Sequence, residues 1–272
     1  MLNTTLKSFA KINIGLRILK KRDDGYHDLE TIFYPVKLFD EIKVQIESNT
    51  SELNSVSLIS NKSFIPLNKN NLCYKTIENF FKAFEIKDYF KIKIDLNKKI
   101  PVGGGLGGGS SNAAAVLKFL IKYFSIDIFN NKEKINNLAL SIGSDVPFFL
   151  IMKPCYAEGR GEKLKILKDF IVNHDILIVN PNLHISTKWA FENLNFKNES
   201  NVSAILNDIQ TFNIKDKTKF TNDFENLVFK KHKVLNDIKN ELDENGSVYS
   251  SMSGSGATMF GKKKKKDKKN MH

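Results

Sequence analysis

The chain has 272 residues, enough for one large or two modest domains, and its hydrophobic fraction of 41% includes 21 phenylalanines that can form a packed core. The formal net charge is +12, but only three of the 42 basic residues are arginine, and the lysines are scattered along the chain. Nucleic-acid readers favour arginine for bidentate contacts, so we expect no nucleic-acid partner.

The amino-terminal residues lack the apolar segment of a secretory signal, and no apolar run approaches the length that spans a bilayer. The two cysteines, Cys73 and Cys155, are too few and too far apart in sequence for a metal cluster or a disulfide scaffold. We therefore expect a folded cytoplasmic protein with no membrane partner and two reduced, buried thiols. The oligomeric state stays open.

Hydrophobic periodicity predicts the regular elements in chain order. The predicted strands are 38–48, 55–60, 90–96 and 176–179. The predicted helices are 71–84, 113–124 and 132–140. Beyond residue 180 the pattern is mostly helical until 248–252, and the change of pattern near 155–175 indicates a domain boundary there.

The most informative segment is the glycine-rich loop between the strand 90–96 and the helix 113–124. Glycine occupies six of the seven positions 103–109. Glycine lets the backbone approach a ligand closely, and a helix start offers unpaired N–H groups and the positive end of its dipole to an anion. Ser110, Ser111 and Asn112 stand where an N-cap is expected. We interpret the segment as a phosphate-binding loop rather than a flexible linker.

Motifs that the sequence lacks exclude several known kinds of phosphate-binding loop. No Lys-Ser/Thr pair follows the glycines, so the Walker A pattern fails, and the chain has neither the His-Arg-Asp nor the Asp-Phe-Gly of protein kinases. Gly103, Gly105 and Gly108 fit the dinucleotide fingerprint, but residues 132–140 read as a helix where that fold needs a strand. The dinucleotide fold therefore stays the less favoured alternative.

Four blocks of sequence together resemble the GHMP kinase superfamily, which includes galactokinase, homoserine kinase and mevalonate kinase. The blocks are 10–13, 22–31, the glycine loop with 143–149, and 253–258. The block Asp24-Gly25-Tyr26-His27 is similar to one branch of that superfamily, the kinases of 4-diphosphocytidyl-2-C-methylerythritol in the non-mevalonate isoprenoid pathway.

The resemblance implies an α+β, two-domain GHMP kinase fold. It implies a ribosomal-protein-like, nucleotide-binding N-terminal domain over 1–160 and a ferredoxin-like C-terminal domain over 161–261, with the site in the cleft between them. Residues 262–272 hold seven lysines and one aspartate and have no apolar face, so we predict a disordered lysine-rich tail.

The implied reaction transfers the γ-phosphoryl group of ATP, with Mg²⁺, to the 2-hydroxyl of the cytidine substrate. Asp145 matches the general base of the family, and Lys11 matches the lysine that keeps that carboxylate ionised and reaches the γ-phosphate. Both lie in apolar segments, where an unpaired buried charge is costly, so we expect them to pair. A purely structural salt bridge, another GHMP acceptor and a degenerate nucleotide-binding homologue stay open as alternatives.

The resemblance also assigns the binding residues, although metal ligands cannot be read from the sequence. It implies that Tyr26 stacks on the cytosine, that His27 bonds the edge of the base, and that Phe191 closes the other side. The ATP-binding set is Pro101, Val102, Gly103, Gly104, Gly105, Leu106, Gly107, Gly108, Gly109, Ser110, Ser111, Asn71 and Lys98. The substrate-binding set is Asn13, Tyr26, His27, Thr187, Phe191, Gly254 and Ser255.

Overall fold

The structure, a computed structural model, describes residues 1–172, 175–195 and 220–263. Residues 264–272 of the predicted tail and residues 196–219 of the predicted helical region lie outside this description. The strands of the described part are β1 (Leu2–Lys21), β2 (His27–Ser48), β3 (Ser55–Ser60), β4 (Phe90–Asn97), β5 (Cys155–Glu158), β6 (Lys163–Ile166), β7 (Asp175–Val179), β8 (Ser247–Met252) and β9 (Met259–Lys263). Its helices are α1 (Leu72–Ala83), α2 (Gly108–Tyr123), α3 (Lys132–Ile142), α4 (Val146–Ile151), α5 (Thr187–Asn193), α6 (Glu225–Lys231) and α7 (Lys233–Glu244).

The chain divides into two compact units. Unit 1 comprises Met1–Ala10, Lys37–Val102 and Gly107–Met152, and unit 2 comprises Lys11–Val36, Gly103–Leu106 and Lys153–His272. The predicted boundary after residue 160 stays a prediction. The compact units follow a different division, because β1 and β2 each contribute residues to both.

Unit 1 contains helices α1 to α4 and strands that pair in the order β3-β4-β2. β4 alternates buried and less buried residues, as its sequence predicts, and it pairs parallel with β3 and antiparallel with β2. The apolar face of β4 includes Ile92 and Ile94, each 1% exposed. α2 buries Val116, Leu117 and Leu120 and packs against α1 and α4. These contacts fix both elements that flank the glycine loop.

Unit 2 contains the antiparallel series β2-β5-β6 and a separate antiparallel sheet of order β7-β9-β8. Helices α5 to α7 contribute residues to a buried apolar cluster, which includes Ile185, Phe224, Val228 and Met252. No helix of the described ranges is both long and apolar enough to cross a bilayer.

The prediction that the disordered tail begins at residue 262 is wrong for its first two residues, because Lys262 and Lys263 belong to β9. Lys262 pairs with Ile176 of β7 and Tyr249 of β8, and only 1% of Lys262 is exposed. Its ammonium lies 5.0 Å from the centroid of the Tyr249 ring. Pairing on both sides of β9 overrides the charge pattern, and burial lowers the pKa of Lys262 to about 7.

Candidate active site

The glycine loop contains three left-handed glycines, Gly103, Gly105 and Gly107, with φ of 70°, 75° and 69°. Residues with a Cβ rarely adopt this conformation. At Gly105 an added Cβ would also overlap the carbonyl oxygen of Ser253, and at Gly103 it would lie 2.8 Å from Nδ1 of His184. The glycines therefore allow a tight loop with close backbone packing, as the sequence predicts.

Helix α2 begins at Gly108, inside the glycine run, with Gly107 as its N-cap and no side-chain hydrogen bond to the cap. The prediction that Ser110, Ser111 and Asn112 form the cap is wrong. Ser111 and Asn112 are buried, and the Ser111 hydroxyl donates to the Phe9 carbonyl at 2.6 Å. Since these side chains are used in tertiary contacts, the first turn of α2 can present its N–H groups and positive dipole end to an anion.

Lys11 and Asn13 lie on β1 with one residue between them, and their side chains point to the same face because successive side chains of a strand alternate between its two faces. Lys11 is 4% exposed, and its ammonium donates to Oδ1 of Asn13 at 2.6 Å. The Lys11 backbone N–H donates to the Leu106 carbonyl at 3.0 Å, and Asn13 Nδ2 donates to the Thr31 hydroxyl at 3.0 Å. In unit 2 these bonds place a buried cation beside the glycine loop.

The segment 253–255 packs on the same part of the loop. The Ser253 hydroxyl donates to the Gly105 carbonyl at 2.9 Å and accepts from the Asn13 backbone N–H at 3.2 Å. Gly254 has φ of 58°, and a Cβ there would lie 3.2 Å from the Gly105 Cα. The hydroxyls of Ser255 and Thr187 are hydrogen-bonded at 3.0 Å. Unit 2 thus brings predicted ATP-binding and substrate-binding residues into contact.

Sequence reasoning did not single out three side chains of this region. Ser253 lies inside the quoted block 253–258, so the motif could have indicated it, and His184 lies in the segment that leads to Thr187. Thr31 had the weaker signal of ending the block 22–31. Their contacts with Gly105, Gly103 and Asn13 are visible only in the fold.

Asp145 lies in unit 1 directly before α4, in right-handed helical conformation and half-buried. Two residues earlier, a Cβ at Gly143 would lie 3.7 Å from the Ser110 hydroxyl of α2. The segment with the predicted base is therefore close to the phosphate-loop helix within unit 1. The pairing of Asp145 with Lys11 stays a prediction.

The predicted cytosine residues Tyr26 and His27 follow a tight turn at Gly25, whose φ is 82°. Arg22 bonds both Asp24 and Asp28, at 2.9 Å and 2.8 Å, and its hydrogen bond holds the pKa of Asp24 below the ordinary value. The residue Tyr26 is 51% exposed, and the Arg160 guanidinium lies 4.4 Å from the centroid of its ring. The ion pairs of Arg22 thus hold the two sides of the turn together, and the turn presents an exposed face of the Tyr26 ring.

His27 and Phe191 form a stacked pair with ring centroids 4.8 Å apart and planes at 24°. Phe191 and Thr187 lie four residues apart on α5, so they share a face of that helix. Desolvation, with a smaller contribution from the charge of Lys21, lowers the pKa of His27 and favours the neutral imidazole. A neutral imidazole has one donor and one acceptor, which suits hydrogen bonding to the edge of a base.

Asn71 and Lys98, the two residues predicted near adenine, already have partners within unit 1. Asn71 caps α1 by accepting from the Cys73 N–H at 2.9 Å, and its Nδ2 donates to the Pro66 carbonyl at 2.7 Å. Lys98 is 5% exposed, forms an ion pair with Asp40 and donates to Oδ1 of Asn112 at 2.8 Å. Their contacts with adenine stay predictions.

Sequence comparison identifies the family. The GHMP kinases N terminal domain matches residues 71–153, and the GHMP kinases C terminal domain matches residues 196–270. The 4-diphosphocytidyl-2-C-methyl-D-erythritol kinase of Chlorobium chlorochromatii is 38% identical over 260 residues, which cover 94% of this chain and 86% of the relative. The kinase of the same name from Clostridioides difficile is 36% identical over 96% of this chain and 87% of its own.

The chain belongs to the 4-diphosphocytidyl-2-C-methyl-D-erythritol kinase family.

Solved structures agree with this family. A crystal structure of 4-(cytidine 5'-diphospho)-2C-methyl-D-erythritol kinase superposes with a TM-score of 0.70 at 30% identity, covering 95% of this chain and 90% of that one. The mevalonate kinase of Methanococcus jannaschii has a TM-score of 0.64 at 16% identity, over 96% of this chain and 91% of its own, and shows the common fold alone. The predicted α+β GHMP kinase fold and the predicted membership of this kinase family are confirmed.

Proposed function

We propose that the chain transfers the γ-phosphoryl group of ATP to the 2-hydroxyl of 4-diphosphocytidyl-2-C-methyl-D-erythritol, in the non-mevalonate pathway to isoprenoid precursors. The observation on which this proposal rests is the identity of 38% to a curated kinase of that name over 94% of the chain. The stacked His27–Phe191 pair supports a base-binding site, because aromatic stacking combined with edge contacts is how proteins recognise an unpaired base.

The geometry within each unit suits phosphoryl transfer, which needs positioning and charge stabilisation more than covalent chemistry. We assign the phosphates of ATP to the glycine loop and to the start of α2, which no side chain caps. Lys11, buried and bonded to Asn13, supplies positive charge for the transferring group. Asp145 accepts the proton of the acceptor hydroxyl as general base.

Mg²⁺ belongs to this proposal as part of the nucleotide substrate. In the part of the chain that the structure describes, no three His, Cys, Asp or Glu side chains are grouped as a metal site. Mg²⁺ in kinases is held largely by water and by the nucleotide phosphates, with one or two carboxylates. The described residues therefore fit an ion that enters with ATP better than one held in a protein cage.

The proposal is tested by coupled ADP release with a panel of acceptors: the cytidine substrate, mevalonate, homoserine and no acceptor. We expect ADP release that depends on the cytidine substrate and a product with a new phosphate on the 2-hydroxyl, identified by phosphorus NMR. Turnover only with mevalonate or homoserine would support another GHMP kinase. Binding of ATP without turnover on any acceptor would support the degenerate homologue.

A further inference from the structure

A buried carboxylate in unit 1, that of Asp40 on β2, has no role in the predicted site. Asp40 is 0% exposed. Its Oδ1 accepts from the backbone N–H groups of Lys99 at 2.7 Å and Ile100 at 2.8 Å. Its Oδ2 accepts from Asn112 Nδ2 at 2.9 Å and from the ammonium of Lys98.

These donors lie on the two sides of the glycine loop. Lys99 and Ile100 directly precede Pro101, where the loop begins, and Asn112 lies on α2, just after the loop ends. One carboxylate therefore joins the chain that enters the loop to the helix that leaves it. Lys98 adds a second connection, because its ammonium also donates to Oδ1 of Asn112 at 2.8 Å.

Such a connection matters because a glycine-rich segment loses more conformational freedom than any other when it is ordered. A phosphate cradle must hold its N–H groups in place before the ligand arrives, or binding has to supply that ordering free energy. Ser8 extends the anchoring to β1, since its hydroxyl accepts from Asn112 Nδ2 at 2.8 Å and donates to Ser111 at 2.7 Å.

Stability alone does not explain the Asp40–Lys98 pair. The side chains are 0% and 4% exposed, and a buried ion pair is often no more stabilising than apolar residues of the same volume. An apolar residue at position 40 would leave the N–H groups of Lys99 and Ile100 without the acceptor that orients them. The pair instead fixes the orientation of the backbone at residues 99 and 100, where the chain enters the phosphate loop.

We propose that Asp40 is a positioning residue for nucleotide binding: through Lys99, Ile100 and Asn112 it fixes both ends of the glycine loop and so the direction of the first turn of α2. The inference depends on the proposed function in one respect, that the ligand of this loop is the phosphate chain of ATP. Asp40 itself contacts no reacting atom in this proposal.

The test replaces Asp40 by Asn, which keeps the size of the side chain and removes its charge. Calorimetry measures the Kd for ATP in the absence of acceptor, steady-state kinetics measure KM and kcat, and hydrogen–deuterium exchange follows residues 99–112. We expect the Kd and KM for ATP to rise by about tenfold, kcat at saturating ATP to stay within about twofold, and exchange over 99–112 to accelerate.

Phe80→Leu is the matched control. Phe80 is 0% exposed in unit 1 and packs against Phe84 and Phe124, away from the loop, with ring centroids 4.7 Å and 5.6 Å apart. This variant should lower the melting temperature, with ATP affinity and loop exchange as in the parent protein. An Asp40→Asn protein that loses stability but keeps the parent Kd for ATP and the parent exchange over 99–112 would overturn the inference.

If Asp40→Asn does not fold, Asn112→Ala serves instead, since it removes only the helix side of the connection. It should also weaken ATP binding several-fold and accelerate exchange over 99–112, and unchanged values would overturn the inference. The proposed function is tested separately by the parent protein. A parent that binds no ATP contradicts that function, whereas a parent that binds ATP as tightly as both variants contradicts only the role of Asp40.

Discussion

The imidazole of His27 lies against the phenyl ring of Phe191, with centroids 4.8 Å apart, although the two residues belong to different segments of unit 2, Lys11–Val36 and Lys153–His272. Phe191 is held in turn by an edge-on contact with Phe224 at 4.9 Å and 85°. The Phe224 ring therefore supports Phe191 in the orientation that stacks on His27. The effect of this stack on the histidine and on the base can be measured separately.

Phe191→Ala should raise the pKa of His27 toward its ordinary value, because removal of the ring lessens the desolvation that lowers it. The titration of the His27 ring signals by NMR measures this change. The same variant should raise the KM for the cytidine substrate by an amount equivalent to about 1–3 kcal/mol of lost stacking. Phe129→Ala, at a site that is 91% exposed in unit 1, is the control and should change neither quantity.

Arg160→Ala should weaken binding of the cytidine substrate, because the guanidinium holds one face of the Tyr26 ring. A cation–π contact at an exposed site contributes about 0.5–1 kcal/mol, so we expect KM for that substrate to rise a few-fold with KM for ATP unchanged. Arg160→Lys keeps the charge but not the planar group, so its KM for the cytidine substrate should lie between that of the parent protein and that of Arg160→Ala. An equal rise in both KM values would place Arg160 outside base recognition.

Asp145→Asn should remove most turnover and leave ATP affinity nearly intact, because the amide keeps the shape of the side chain but cannot accept the proton of the hydroxyl. Single-turnover kinetics at saturating ATP and acceptor measure the chemical step directly. Near-normal kcat in this variant would exclude Asp145 as the general base.

Gly105→Ala should lower the melting temperature by several degrees, whereas Gly109→Ala should not. A Cβ at Gly105 would meet the Ser253 backbone, and φ there is 75°. At Gly109, within α2, the nearest atom would be the Leu72 Cδ1 at 3.5 Å, an ordinary contact, and alanine is the better helix former by about 1 kcal/mol. Thermal unfolding of the two variants under one buffer condition makes the comparison, and equal melting temperatures would contradict this geometry.

Lys262→Met should reduce the rise of stability with pH above neutrality. In the folded protein the pKa of Lys262 is about 7, and the unfolded value is near 10.5, so between these values the unfolded chain binds more protons and stability rises with pH. For one proton, each pH unit in this interval contributes about 1.4 kcal/mol at most. Urea unfolding at pH 7, 8 and 9 should show a smaller slope for Lys262→Met than for Lys165→Met on the exposed part of β6. Equal slopes would contradict the buried state of Lys262.

The sequence predicted the glycine loop well, because left-handed glycines and a following helix are local properties of residues 103–124. It placed the helix start too late, because the capping rule treats Ser111 and Asn112 as local groups, whereas their partners Ser8 and Asp40 lie far away in sequence. The prediction that Lys262 belongs to a disordered tail is wrong for the same reason. Its neighbours on β7 and β8 are distant in the chain and decide its burial.

The middle position of β9 in its sheet has a consequence for synthesis. β7 and β8 each pair with β9, and β9 follows both of them in the chain. A ribosome extends the chain at about 5–20 residues per second, and residues 180–258 are synthesised after β7 and before β9, the strand with which β7 pairs. We therefore expect nascent chains stopped before residue 259 to bind chaperones through the exposed edge and apolar face of β7, and to release them once 259–263 leave the exit tunnel.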